Sequence, residues 1–125
     1  YSKLAKFKIA ALSIRNRDLI SAISIYRELS NDNQLETYYR DLAVILGAMA
    51  QLDPKTNSID LIKKTELLNL SASTWRHSAR EILGLNALKN NDKEKAKAYF
   101  TSLMTDPTAP PGMASRGKKM LNFVN

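Results

Sequence analysis

The chain has 125 residues, 44% of them apolar, with four Gly, four Pro and no Cys. That is enough for a hydrophobic core and too apolar for disorder, and it excludes disulfides, thiolate catalysis and cysteine-rich metal sites. The net charge of +7 sits at the ends: residues 1–17 hold Lys3, Lys6, Lys8, Arg15 and Arg17, residues 107–125 hold Arg116, Lys118 and Lys119, and neither stretch holds an acid.

Apolar residues recur every three or four positions through most of the sequence, which predicts helices throughout. The first is expected over about residues 1–15, with Leu4, Phe7, Ala11 and Ile14 on one stripe. A second follows Asn16-Arg17-Asp18, over about 18–30, with Leu19, Ala22, Ile23, Tyr26 and Leu29 inward. Asn33 with Glu36 reads as a capping pair that opens a third helix to about Leu52, where Asp53-Pro54 stops it. Ser58 is expected to cap a fourth helix to about Leu68, and Ser73 or Thr74 to open a fifth to about Lys89. Asn91 with Glu94 repeats the capping pattern for a sixth helix to about Thr105. Asp106-Pro107 ends it, and Pro110-Pro111-Gly112 leads to a seventh over about 111–124. The longest apolar run, Leu42 to Ala50, is too short to cross a membrane.

Three small residues, Ala10, Gly47 and Gly84, lie 37 residues apart, each inside an apolar helical run. Small residues let helix axes approach closely, and a fixed period in this range marks a solenoid. The partner helices repeat as well: Ala22, Tyr26 and Leu29 match Ala96, Phe100 and Leu103 at an offset of 74. Leu61, Thr65 and Leu68 fit the middle copy only with a longer loop, and Thr65 then replaces the aromatic. The expected architecture is a single all-α domain over 1–125. It is a tetratricopeptide-like α-α superhelix of three helix hairpins (about 1–32, 33–70 and 71–108) with a C-terminal capping helix over about 111–124.

A small residue, then alanine, then an aromatic, best seen in Gly84, Ala96 and Phe100, is the tetratricopeptide pattern. Three segments sharpen it: Tyr39-Arg40-Asp41-Leu42-Ala43, Trp75-Arg76-His77-Ser78-Ala79-Arg80-Glu81 and Pro110-Pro111-Gly112-Met113. On these the chain resembles a bacterial family of tetratricopeptide-like proteins related to the ancillary subunit of the SecYEG translocon. The resemblance implies an inner-membrane protein with one N-terminal membrane helix and a repeat domain on the periplasmic side. The present chain, which opens at Tyr1 without Met or a signal pattern, would be the soluble part of a longer protein. The implied partners are the secretion translocon, periplasmic chaperones and emerging secretory chains.

Motifs for chemistry are sparse. His77 is the only histidine, and alone it forms no metal site with Cys or a second His. Its neighbours Trp75, Arg76, Arg80 and Glu81 form a cluster better read as a helix start than as a catalytic group. No Gly-x-Ser-x-Gly elbow or glycine-rich phosphate loop is present. Nucleic-acid binding has only Tyr1 and Phe7 among Lys3, Lys6 and Lys8 to support it, and Phe7 lies on the apolar stripe. No enzyme activity, cofactor or nucleic acid is therefore expected. The basic ends read either as solvated faces or as surfaces that approach an anionic partner such as lipid headgroups.

In tetratricopeptide folds the first helix of each hairpin lines a groove. Taking the small residue as the eighth repeat position places Leu4, Phe7, Ala11, Ile14 and Arg15 there from the first helix. The third helix gives Asp41, Val44, Ala48, Gln51 and Leu52, and the fifth gives Ser78, Glu81, Leu85, Leu88 and Lys89. An apolar groove with a polar rim suits an amphipathic helix or an apolar peptide. The expected function is a non-enzymatic protein–protein interaction scaffold, with a cytosolic adaptor of the same fold as the alternative.

Overall fold

The computed structural model describes residues 2–70 and 72–124; Tyr1, Ser71 and Asn125 lie outside that set. Among the described residues every regular element is helical. They are α1 (Lys3–Arg15), α2 (Leu19–Ser30), α3 (Thr37–Gln51), a 3-10 turn (Pro54–Thr56), α4 (Asp60–Leu68), α5 (Arg76–Lys89), α6 (Lys93–Thr105) and α7 (Pro111–Val124). The chain separates into two compact units, Tyr1–Thr65 and Glu66–Asn125, with the boundary inside α4.

In the first unit α1 packs on α2 and α2 on α3; in the second, α6 packs on both α5 and α7. The turns that reverse the chain at α1–α2 and α5–α6 are built alike. Asn16 and Asn90 close the first helix at φ −85° and −89°. Arg17 and Asn91 follow in the left-handed region at φ 62° and 60°. Asp18 and Asp92 then accept a hydrogen bond from the N–H of Ser21 and Lys95, each at 3.2 Å. The Asp18 N–H reaches back to the Ser13 carbonyl and the Asp92 N–H to the Ala87 carbonyl, both at 2.8 Å. Left-handed backbone is costly for most L residues and least so for Asn, so Asn91 suits this turn better than Arg17.

Three expected helix starts are corrected. Asn33 does not cap α3. Asp32 organises that loop by accepting from the Gln34 N–H at 2.9 Å, and α3 begins only at Thr37, after an extended Glu36. Asp92 caps α6, because Asn91 is occupied with the left-handed turn. Ser73 forms a turn just ahead of α5, its hydroxyl accepting from the Trp75 N–H at 3.1 Å.

Ala10, Gly47 and Gly84 are all buried, in α1, α3 and α5. A Cβ on Gly84 would stand 2.7 Å from two ring atoms of Phe100, so the ring lies directly on the α5 backbone. At Gly47 the corresponding space is filled by Leu61, whose Cδ1 would be 2.3 Å from an added Cβ. This explains the missing aromatic: Thr65 is fully buried, and its hydroxyl donates to the Ile62 carbonyl at 2.6 Å. Phe100, Ala96, Ala87 and Val124 form one buried cluster, onto which Leu85, Leu88, Met120 and Leu121 pack.

Gly84→Ala is expected to lower the unfolding free energy by about 1–3 kcal/mol, because the Phe100 ring has nowhere to move. Gly47→Ala meets the end of the flexible Leu61 side chain and, less tightly, the Tyr26 Cβ at 3.1 Å, and it costs less because Leu61 shifts more readily than the Phe100 ring. Urea unfolding midpoints of the two variants check that order, and Phe100→Leu in the Gly84→Ala background is expected to recover part of the loss.

Candidate functional site

An open apolar surface of the first unit runs along the seam of α1, α2 and α3. A cleft of about 440 Å³ is lined by Ala11 and Ile14 of α1, Leu19 and Tyr26 of α2, and Leu46, Met49 and Ala50 of α3, with Asp53 at its edge. A second cleft of about 350 Å³ lies toward the start of α1, between Lys3, Leu4 and Phe7 on one side and Gln34, Leu35, Glu36 and Tyr39 on the other. The Phe7 ring stands between them, its centroid 6.3 Å from that of Tyr26 and 6.4 Å from that of Tyr39. At the far end the larger cleft shares Ile14, Leu19 and Asp53 with a recess of about 380 Å³ that also holds Ile20 and the charged Arg17, Asp18 and Lys55.

Leu4, Phe7, Ala11 and Ile14 therefore all line this seam. Leu4, beside the smaller cleft, is 67% exposed and Met49, beside the larger, 54%, so the apolar lining continues onto the open surface. The third-helix residues are corrected. Val44, Ala48 and Gln51 are buried, and the wall facing α1 is made instead by Leu46, Met49 and Ala50. Carrying the first-helix positions forward by one period selects a different face of α3. The available signal was the run Leu42–Ala50, apolar on every side, which offers more than one face to pack.

Gln51 is a structural residue. Its side-chain carbonyl accepts from the N–H groups of Leu61 and Ile62 at 2.9 and 3.1 Å, satisfying the start of α4. Its amide donates to Ser58 Oγ at 3.0 Å and Asp60 Oδ1 at 2.7 Å. Ser58, expected to cap α4, is thus held by Gln51. Asp60 also takes a two-bond contact from Arg27 at 2.8 and 3.0 Å, and this, with burial opposing, holds its carboxyl well below the usual carboxylate range.

The fifth-helix residues are corrected too. Leu85 and Leu88 are half-buried against the cluster that α7 completes, and Glu81 accepts two bonds from Arg116 of α7 at 2.6 and 3.0 Å. Helix α7 occupies this face, so these three line no open groove.

The second unit also contains the polar cluster of the Trp75–Glu81 segment. Asp106 accepts from Arg80 at 2.9 Å and Arg76 at 3.2 Å on one oxygen, and from the Thr108 N–H and hydroxyl at 2.9 and 2.7 Å on the other. Thr108 holds Asp106 first, and the arginines add to it, so the carboxyl stays well below its ordinary range. His77 is buried, with Nε2 3.2 Å from the Thr108 hydroxyl and Nδ1 without a partner, 3.8 Å from Asp106. Threonine, histidine and aspartate thus stand together. The threonine proton is directed to Asp106, however, so the group clasps the α6–α7 loop to α5 rather than priming a nucleophile. Among the described residues no group of three His, Asp or Glu could hold a metal ion, and no helix is long and apolar enough to cross a membrane.

Comparison with known protein families, with curated proteins and with solved structures finds no match to this chain.

Gln51→Leu is expected to cost about 2–4 kcal/mol, since it strands two buried N–H groups. Amide hydrogen exchange should speed up first at Leu61 and Ile62. Burial, and then the neighbouring Arg76, lower the His77 pKa, with Asp106 opposing. The folded state therefore favours neutral His77. Its contribution to stability is complete above the ordinary imidazole value of about 6.5 and is lost as pH falls below it. Unfolding midpoints should drop from pH 7 to 5 in the parent and stay flatter in His77→Asn; because the chain has a single histidine, no other imidazole obscures the comparison.

Proposed function

We propose that this chain is a tetratricopeptide-like scaffold that holds a helical or extended apolar segment of a partner protein along the α1–α3 seam. The observation that carries the reading is the pair of open clefts on either side of the Phe7 ring, with exposed Leu4 and Met49 beside them. The matched turns, 74 residues apart, support hairpins repeated along the chain, and this supports the superhelical architecture. Each apolar anchor buried contributes roughly 1.5–3 kcal/mol, so two or three give weak, reversible association once ordering costs are met. Such binding suits clients that must be released.

The resemblance carried by Tyr39–Ala43, Trp75–Glu81 and Pro110–Met113 supports a place on the periplasmic side of the inner membrane. There the partners would be the secretion translocon, periplasmic chaperones or emerging secretory chains.

A photo-crosslinking residue placed at Ala11 or Met49 of the full-length protein, in its own cells, tests this. Both positions are exposed, so the fold tolerates the change. Crosslinks to translocon subunits or periplasmic chaperones are expected at these two sites and not at Ser24, an exposed position on α2 outside the clefts. Crosslinks confined to cytosolic proteins would move the scaffold to the cytosol, and equal yields at all three sites would remove the seam from its function.

A further inference from the structure

The charges of the second unit are segregated. It carries nine cations and five carboxylates. Arg80 and Arg76 are bound to Asp106, and Arg116 to Glu81. With Glu66 these arginines and carboxylates balance. What remains is six lysines, Lys89, Lys93, Lys95, Lys97, Lys118 and Lys119, against Asp92 and Glu94, so the unit's whole net charge of +4 comes from this group.

The fold brings Lys89, Lys93, Lys95 and Lys97 toward one end, and Lys118 and Lys119 lie on α7 about one to two turns before it, just past Gly117, which faces Phe100 and Leu103. Val124 shares a buried cluster with Ala87 and Ala96, which sets the end of α7 beside the end of α5 and the start of α6. Lys93, Lys95, Lys118 and Lys119 are exposed and enter no ion pair among the described residues. Phe123, about one turn beyond Lys119 on α7, is 72% exposed, while Gly117 and Val124 turn the other side of α7 inward.

We infer that this lysine-rich end of the second unit, with Phe123 at its tip, is a docking surface for an anionic lipid bilayer. Lysine is a compact point charge that interacts with a diffuse negative surface, whereas the forked geometry of arginine suits discrete carboxylates. Here each arginine of the unit serves an internal carboxylate, whereas the lysines lie at this end and along the exposed side of α7 that leads to it. Phe123 gives the surface an apolar side chain to insert at the headgroup boundary. Single-stranded nucleic acid is less well served, since stacking needs aromatics in succession and Tyr99 is half-buried. The inference concerns the second unit alone and is independent of the seam in the first.

Co-sedimentation of the full chain with vesicles tests it. Binding is expected to vesicles of phosphatidylcholine with about 30% phosphatidylglycerol and not to phosphatidylcholine alone, and it should weaken as salt rises. Lys118→Glu/Lys119→Glu should reduce binding at least about tenfold. Lys8→Glu/Arg15→Glu, which changes the net charge equally at exposed positions of the first unit, should reduce it much less. Phe123→Ser should lower the fraction that stays bound at high salt. All of these side chains are exposed, and an unchanged circular dichroism spectrum certifies each variant. No binding to the anionic vesicles, or equal losses from the two charge-reversal pairs, overturns the inference. So does loss of binding to a single-stranded oligonucleotide in Lys118→Glu/Lys119→Glu while vesicle binding persists.

Discussion

The second unit depends on an absence: a phenyl ring lies against the α5 backbone because Gly84 has no side chain to hold it away. That contact sets how near α6 comes to α5. Gly117 continues the arrangement on the far side of α6, where an added Cβ would meet the Phe100 carbonyl at 3.3 Å and Leu103 at 3.4 Å. Phe100 is thus gripped between two glycine-bearing helices, and α7 closes the core with Val124. Close-packed interiors tolerate neither extra volume nor voids, so the two glycines and the ring act as one joint. The first unit reaches the same end with a branched aliphatic chain on Gly47, a softer filling that a threonine can accompany.

Much of this was legible in the sequence. The 37-residue spacing pointed to Ala10, Gly47 and Gly84, and all three are buried in apolar helices. Helix ends marked by a stop, such as Asp53-Pro54 and Asp106-Pro107, fall where the stop residues put them. Helix starts were harder, since several polar residues in a row can each cap, and the winner depends on backbone torsion. Asn91 and Asp92 are neighbours; only the one outside the left-handed turn is free to accept from α6. For Asn33 the deciding residue was Asp32, which bonds to its own loop and to Lys3 of α1, a partner far away in sequence.

The candidate surface was legible on α1 and not beyond it. One period maps equivalent positions, yet equivalent positions need not meet equivalent neighbours. On α1 the stripe borders open clefts, while on α5 the same stripe is filled by α7. No local pattern separates the two cases, because the deciding fact is what stands opposite. Charge behaves similarly. The sequence showed basic ends, and only the ion pairs reveal how they differ: in the second unit the arginines bind Asp106 and Glu81 while Lys93, Lys95, Lys118 and Lys119 face outward, and in the first it is Lys3 and Lys6 that pair, with Asp32 and Glu28.

The amide of Gln51 bears on the order in which the chain acquires its shape. A nine-residue helix such as α4 is too short to sustain itself in water, since the first turn is the costly one to form. Gln51 supplies part of that first turn from the end of α3, by holding two of its N–H groups in place. Helix α4 is therefore templated by its predecessor: until α3 has wound to its last residue and delivered that side chain, the segment after Ser58 has no seed from which to grow.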